Sequence, residues 1–250
     1  MRLAAVQHDI CWEDRDATLA RLAPVVAGTD ADLVVLAELF AVGFTMSAAV
    51  AEPPDGPTTR WLLEQAAATG AWIGGSVPVV LASADRPSNV FTLVSPAGDV
   101  HRYAKRHPFS YAGEHEHYAP GGDRLTVDVT GARVSPFVCY DLRFADAMWP
   151  IADRTDVYVV VASWPSLRRE HWRTLLRARA IENQAYVVGV NRVGAGGGLD
   201  YAGDTCIIDP MGEVLASAAS VETVLTADID PGLVAKVRAD LPFMSDRRAD

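Results

Sequence analysis

Apolar positions along the chain follow two periods. Runs such as Leu3-Ala4-Ala5-Val6, Leu33-Val34-Val35-Leu36 and Val157-Tyr158-Val159-Val160-Val161-Ala162 are continuously apolar, as in strands buried on both faces. Longer stretches between them carry apolar residues at helical spacing. The pattern predicts strands over 2–7, 32–36, 72–81, 90–95, 99–105, 134–138, 157–162, 186–191, 205–208, 213–216 and 224–229. It predicts helices over 14–27, 58–69 and 168–184. Asp14 or Asp16 suits the cap of the first helix, and Gly70 suits a left-handed end to the second. Gly98 serves the turn Ser95-Pro96-Ala97-Gly98-Asp99, Asp209-Pro210-Met211-Gly212 closes a hairpin, and 194–198 reads as a glycine-rich turn. Interleaved strands and helices imply an α/β fold of sheets covered by helices. Periodicity alone leaves two architectures open, a four-layer αββα sandwich and one doubly wound sheet. No repeat or linker interrupts the chain, so residues 1–250 read as one domain with a short tail after about 240.

Composition narrows the function classes. Half of the 250 residues are hydrophobic and 22% are charged, which excludes intrinsic disorder. The net charge of −10 argues against nucleic acid and against anionic membrane surfaces, both of which select basic faces. Three cysteines, Cys11, Cys139 and Cys206, without paired spacing suggest neither a disulfide framework nor a cysteine-based zinc site. The first apolar run is too short for a signal peptide or a membrane span, and a cytoplasmic protein is expected. The glycines at 194–198 lack the strand-to-helix placement of a phosphate loop, so no cofactor is expected.

Three segments put a reactive residue at the end of an apolar run. Glu38 follows Leu33-Val34-Val35-Leu36-Ala37, where burial would favour a general base; a solvated strand end is the bland alternative. Lys105 sits in Tyr103-Ala104-Lys105-Arg106-His107-Pro108-Phe109 and either aims an ammonium into a cleft or is one of a solvated pair. Cys139 sits in Phe137-Val138-Cys139-Tyr140-Asp141-Leu142-Arg143, at a strand-to-helix junction that favours a thiolate and offers N–H groups to an oxyanion. Its alternative is a buried structural cysteine, the reading given to Cys11 and Cys206.

The order Glu38, Lys105, Cys139 resembles the nitrilase (carbon–nitrogen hydrolase) superfamily. The likeness runs from Leu3 to about Asp230 and includes Tyr118-Ala119-Pro120-Gly121, Arg177-Ala178-Arg179-Ala180-Ile181-Glu182-Asn183, Asn191-Arg192-Val193-Gly194 and Gly203-Asp204-Thr205. The Lys105–Phe109 and Gly113–Tyr118 segments, with Ala162-Ser163-Trp164-Pro165 and Glu170-His171-Trp172, look like its omega-amidase (2-oxoglutaramate amidase) branch. Two positions depart from the family pattern, Ala37 and Ala145, where proline is common.

The resemblance implies the αββα sandwich and a thiol amidase without a cofactor. In it Cys139 is the nucleophile, Glu38 the general base, and Lys105 with the backbone N–H of Tyr140 the oxyanion site. Glu114, rather than Glu116, fits the second glutamate. The implied substrates are water and small omega-amides of dicarboxylic acids, such as 2-oxoglutaramate. N-carbamoyl or nitrile substrates are the alternative within the superfamily, and a non-catalytic binding protein the alternative outside it. Trp164, Phe109, Tyr111 and Arg143 are candidate pocket residues; Arg143 might equally pair with Asp141 or another acid. A homodimer or higher homo-oligomer is implied, with 168–184 and 241–244 as candidate interface surface. His107, His115 and His117 with Glu114 and Glu116 offer a competing zinc reading, in which His115 and His117 share one side of a strand. No fixed metal spacing supports it, and no metal is expected.

Overall fold

A computed structural model describes residues 1–82 and 85–248. The first half runs β1 (Arg2–Gln7), α1 (Arg15–Ala27), β2 (Leu33–Val35), α2 (Pro57–Thr69), β3 (Trp72–Val79), β4 (Ser88–Val94), β5 (Val100–Ala104) and the short α3 (Glu114–His117). The second half runs β6 (Val127–Val129), β7 (Ala132–Val138), α4 (Ala145–Met148), β8 (Val157–Ala162), α5 (Arg169–Asn183), β9 (Tyr186–Asn191), β10 (Val193–Gly196), β11 (Leu199–Ile208), β12 (Val214–Ala219), β13 (Thr223–Asp228) and α6 (Pro231–Asp240).

The strands form two sheets, β13-β1-β2-β3-β4-β5 and β10-β11-β9-β8-β7-β6, with β12 paired to β11. Strands β1, β2 and β3 are parallel, and so are β7, β8 and β9. Period-two alternation divides β1 between two cores. Leu3 and Ala5 join Leu33, Val35 and Phe91 against Phe137, Val159 and Val161 of the second sheet, which is the sheet-on-sheet core. Ala4 and Val6 join Val34 against Leu19 and Leu22 of α1 and Leu62 and Ala66 of α2. On the far side, Trp172, Leu176 and Ala180 of α5 pack on the second sheet. The layers are therefore helix, sheet, sheet, helix. Close approach of α5 depends on Gly189, where a Cβ would sit 2.3 Å from Leu176 Cδ1.

Caps and turns follow the sequence signals. Asp14, not Asp16, caps α1 by accepting from the Ala17 N–H. Gly70 ends α2 at φ +75°. Other expectations need correction. Of the turn expected over 194–198, only 197–198 turn; 194–196 belong to strand β10, which pairs with the first half of β11, and β11 starts at Leu199 instead of 205. The three-residue β6 carries no apolar run and was not expected. Helix α6, between the last expected strand and the tail, is an element the sequence pattern did not predict; its start is marked by Pro231 and by Asp230, which accepts from the Gly232 N–H. His115-Glu116-His117 belongs to a helical turn, not a strand, so side chains two residues apart diverge.

No helix among the described residues is long and apolar enough to cross a membrane.

Candidate active site

The carboxyl ends of the parallel strands in both sheets converge at one rim, where open α/β sheets bind ligands. Glu38 lies just past β2, Cys139 just past β7, Ser163 and Trp164 just past β8, and Asn191 ends β9. Lys105 follows β5, and Asn89 lies within β4.

Glu38, Lys105 and Glu114 form one buried cluster; all three side chains are at most 1% exposed. Lys105 Nζ donates to Glu38 Oε1 at 2.9 Å and to Glu114 Oε1 and Oε2 at 3.0 and 2.8 Å. Asn89 Nδ2 donates to the same two carboxylates, at 2.9 Å to Glu38 and 3.3 Å to Glu114. The Ser163 N–H donates to Glu38 Oε2 at 2.7 Å, and the Phe109 N–H donates to Glu114 Oε2. Burial alone would lower the Lys105 pKa, yet Glu114 and Glu38 outweigh it and hold the ammonium well above its ordinary value. Burial raises the Glu114 carboxyl, and Lys105 opposes that rise.

Cys139 opens a 3-10 turn, Cys139–Arg143, with φ +46°. This left-handed conformation is costly for a residue with a Cβ. The sulfur lies close enough to the cluster for Glu38, Lys105 and Glu114 to act on it. Tyr140 follows in the first turn, where helical geometry leaves N–H groups without internal partners. A helix start favours a thiolate, but stronger influences act on this sulfur. Burial and the nearby Glu38 push its pKa well above the ordinary value, with Lys105 only partly compensating. These influences favour the protonated sulfur, a weak nucleophile that a base beside it would activate.

Asp141 ties this turn to the lysine segment. Its buried carboxylate accepts from the Val138 N–H at 3.1 Å, the His107 N–H at 2.9 Å and the Tyr103 hydroxyl at 2.8 Å, with His107 Nδ1 2.8 Å away. The pairing of Arg143 with Asp141 is thereby excluded. Arg143 instead stacks over Trp164, with its guanidinium carbon 4.7 Å from the ring centroid, and contacts His171 Nδ1 at 3.2 Å.

A pocket opens above the thiol. Cys139, Phe109, Tyr140, Arg143, Trp164 and Arg168 are among its lining residues. Tyr111 is not among them: Ala112 of its turn, Ser110–Ala112, lines the pocket, but Tyr111 itself is 86% exposed. The histidines separate as well. His107 is held by Asp141, His115 and His117 are exposed, and among the described residues no three His, Cys, Asp or Glu side chains cluster as metal ligands. Asn89, which donates to both carboxylates, and Ser163, Arg168 and Tyr201, which line the pocket, were not anticipated from the sequence. Asn89 leaves one trace, a lone amide beside the apolar run Val90-Phe91.

Comparison with known proteins gives a consistent result. The carbon-nitrogen hydrolase family profile matches residues 2–239. Omega-amidase YafV from Escherichia coli (strain K12) is 40% identical, covering 98% of this chain and 96% of that protein. The 2-oxoglutaramate amidase of Bacillus subtilis (strain 168) is 32% identical, covering 88% of this chain and 86% of that protein. XC1258 from Xanthomonas campestris, a CN-hydrolase superfamily protein solved with an arsenic adduct in its active site, matches with a TM-score of 0.94 at 39% identity, covering 100% of this chain and 98% of that one. Fold, buried cluster and relatives agree, and the chain belongs to the carbon–nitrogen hydrolase (nitrilase) superfamily as a hydrolase of the amidase kind.

Proposed function

We propose that this enzyme releases ammonia from small omega-amides of dicarboxylic acids, of which 2-oxoglutaramate is the type, through a thioester on Cys139. The observation that carries the reading is Lys105, held by Glu38 and Glu114 in one buried cluster beside the Cys139 sulfur. The substrate class is supported by the omega-amidase and 2-oxoglutaramate amidase relatives.

Glu38 takes the Cys139 proton as sulfur attacks the amide carbon. The carbonyl oxygen becomes an alkoxide, stabilised by the Lys105 ammonium and the Tyr140 N–H. Glu38 returns the proton to the nitrogen, the carbon–nitrogen bond breaks, and ammonia leaves a thioester. Glu38 then takes a proton from water, whose oxygen attacks the thioester, and the thiolate leaves and is reprotonated. Glu114 keeps Lys105 charged and in place. Arg143, free of Asp141, is available to a substrate carboxylate. The reading carries with it a cytoplasmic homodimer or higher homo-oligomer.

Mass spectrometry of protein quenched with succinamate, glutaramate or 2-oxoglutaramate tests this. The expected result is an acyl adduct on Cys139, with ammonia release lost in Cys139→Ala. Full activity in that variant would overturn it. A panel of N-carbamoyl compounds and nitriles, read by ammonia and carbon dioxide, separates the other substrates of the superfamily.

A further inference from the structure

The chain carries 32 acidic residues against 22 basic ones, yet two of the pocket's lining residues are arginines, Arg143 and Arg168, and none is an Asp or Glu. Neither guanidinium has a carboxylate within ion-pair distance among the described residues. The contrast with the neighbouring residue is direct: Arg169 makes two bonds to Asp204, at 3.0 and 2.8 Å.

Arg168 is also held in place. Its carbonyl accepts from Trp164 Nε1 at 2.9 Å, and its N–H donates to the Pro165 carbonyl at 3.0 Å. The pocket tryptophan thus fixes the backbone from which Arg168 projects. Its guanidinium carbon lies 5.4 Å from the Phe109 ring centroid, while Arg143 lies over Trp164. Stacking on an aromatic face leaves the in-plane N–H donors of a guanidinium free for an anion.

We propose that Arg168 is a specificity-determining residue which, together with Arg143, makes the pocket select amides whose far end is anionic and reject those that carry an ammonium there. This rests on the omega-amide reading and extends it. A 2-oxo acid or an unsubstituted acid offers these two cations only oxygen acceptors. A 2-amino acid brings a third positive charge into a pocket lined by no acid, and that repulsion opposes binding.

The test is kcat/KM of the full-length wild type, Arg168→Gln, Arg168→Lys and Arg168→Glu on succinamate, on butyramide as its neutral counterpart, and on glutaramate against glutamine. Folding of each variant is checked by circular dichroism. Arg168→Gln should lower the succinamate-to-butyramide ratio by about tenfold or more, chiefly through KM, and Arg168→Lys should restore part of it. Arg168→Glu should raise the glutamine-to-glutaramate ratio by a similar factor, which a merely structural role would not produce. Ratios within twofold of wild type in folded Arg168→Gln would overturn the inference while leaving the omega-amide reading intact. A wild type that prefers butyramide to succinamate would overturn both.

Discussion

The Tyr103 hydroxyl donates to the Asp141 carboxylate at 2.8 Å, joining the strand that leads to Lys105 with the turn that begins at Cys139. Burial and then Asp141 push the Tyr103 pKa well above its ordinary value, so the phenol stays a donor. Tyr103→Phe removes one bond to a charged acceptor and should cost about 1.5–3 kcal/mol. Asp141→Ala strands the donors of Tyr103, His107 and Val138 together, and should cost more than Tyr103→Phe and reduce turnover with it. Urea denaturation and ammonia-release kinetics measure both. Equal stability of Asp141→Ala and wild type would refute the tie.

Reactivity of the cysteine gives a prediction with a counterintuitive sign. Glu38 raises the Cys139 pKa and Lys105 lowers it. Removing the carboxylate should therefore increase the thiolate fraction at a given pH. Glu38→Gln should be alkylated by iodoacetamide faster than wild type at pH 8–9 while its turnover is lost, and Lys105→Met should be alkylated more slowly. Alkylation rates against pH decide this, and slower labelling of Glu38→Gln would contradict the assignment.

Gly121 lies directly against the lysine strand. Its N–H donates to the Lys105 carbonyl at 2.8 Å, and a Cβ there would fall 2.2 Å from the Ala104 carbonyl oxygen. At Gly122 a Cβ meets nothing within 4 Å. Gly121→Ala must move backbone beside Lys105 and should lower kcat by about tenfold or more, in keeping with the cost of misplaced catalytic groups. Gly122→Ala is the matched control and should stay near wild type. Comparable kinetics for the two variants would show that this approach does not position the lysine.

Alkaline stability follows from Cys206. Burial, aided by Asp204, pushes its thiol from an ordinary 9.0 up to about 12. Between these values the unfolded chain has lost this proton and the folded chain retains it. Stability therefore falls as pH rises, by about 1.4 kcal/mol per pH unit from this one group. Cys206→Ala should show a shallower decline between pH 9 and 10.5 in chemical denaturation, whatever its offset at neutral pH. An unchanged slope would rule the group out.

Glu38 was legible because it closes an apolar run with a residue that such runs avoid; Lys105 and Cys139, each equally compatible with a bland role alone, became legible through the order Glu38, Lys105, Cys139 that carries the resemblance. Ser163 was not, since its contribution to Glu38 is a backbone N–H, and a main-chain donor has no side-chain signature. Asn89 escaped because the apolar run beside it starts at Val90, one residue after the polar position that matters. Tyr111 was misplaced because aromatic character says nothing about which way a 3-10 turn faces. The forces acting on the Cys139 thiol were hidden for a different reason. The sequence reveals a helix start, but not the burial that, with Glu38 and Glu114 close by, pushes the thiol pKa up instead. The sheet-on-sheet core was the resemblance's contribution, because continuous apolar strands fit either architecture.

The pairing of β1 with β13 has a consequence for how the protein is made. Arg2 to Gln7 pair with Asp228 to Thr223, so strands at opposite ends of the chain lie side by side in the sheet that carries Glu38. During synthesis the first strand emerges with one edge open, and its partner follows more than two hundred residues later. Until then that edge can pair with any other free strand. Contacts this distant also form late and slowly. Nascent chains stalled before residue 223 should therefore be the species that chaperones hold, and completion of the last strand should be the event that releases them.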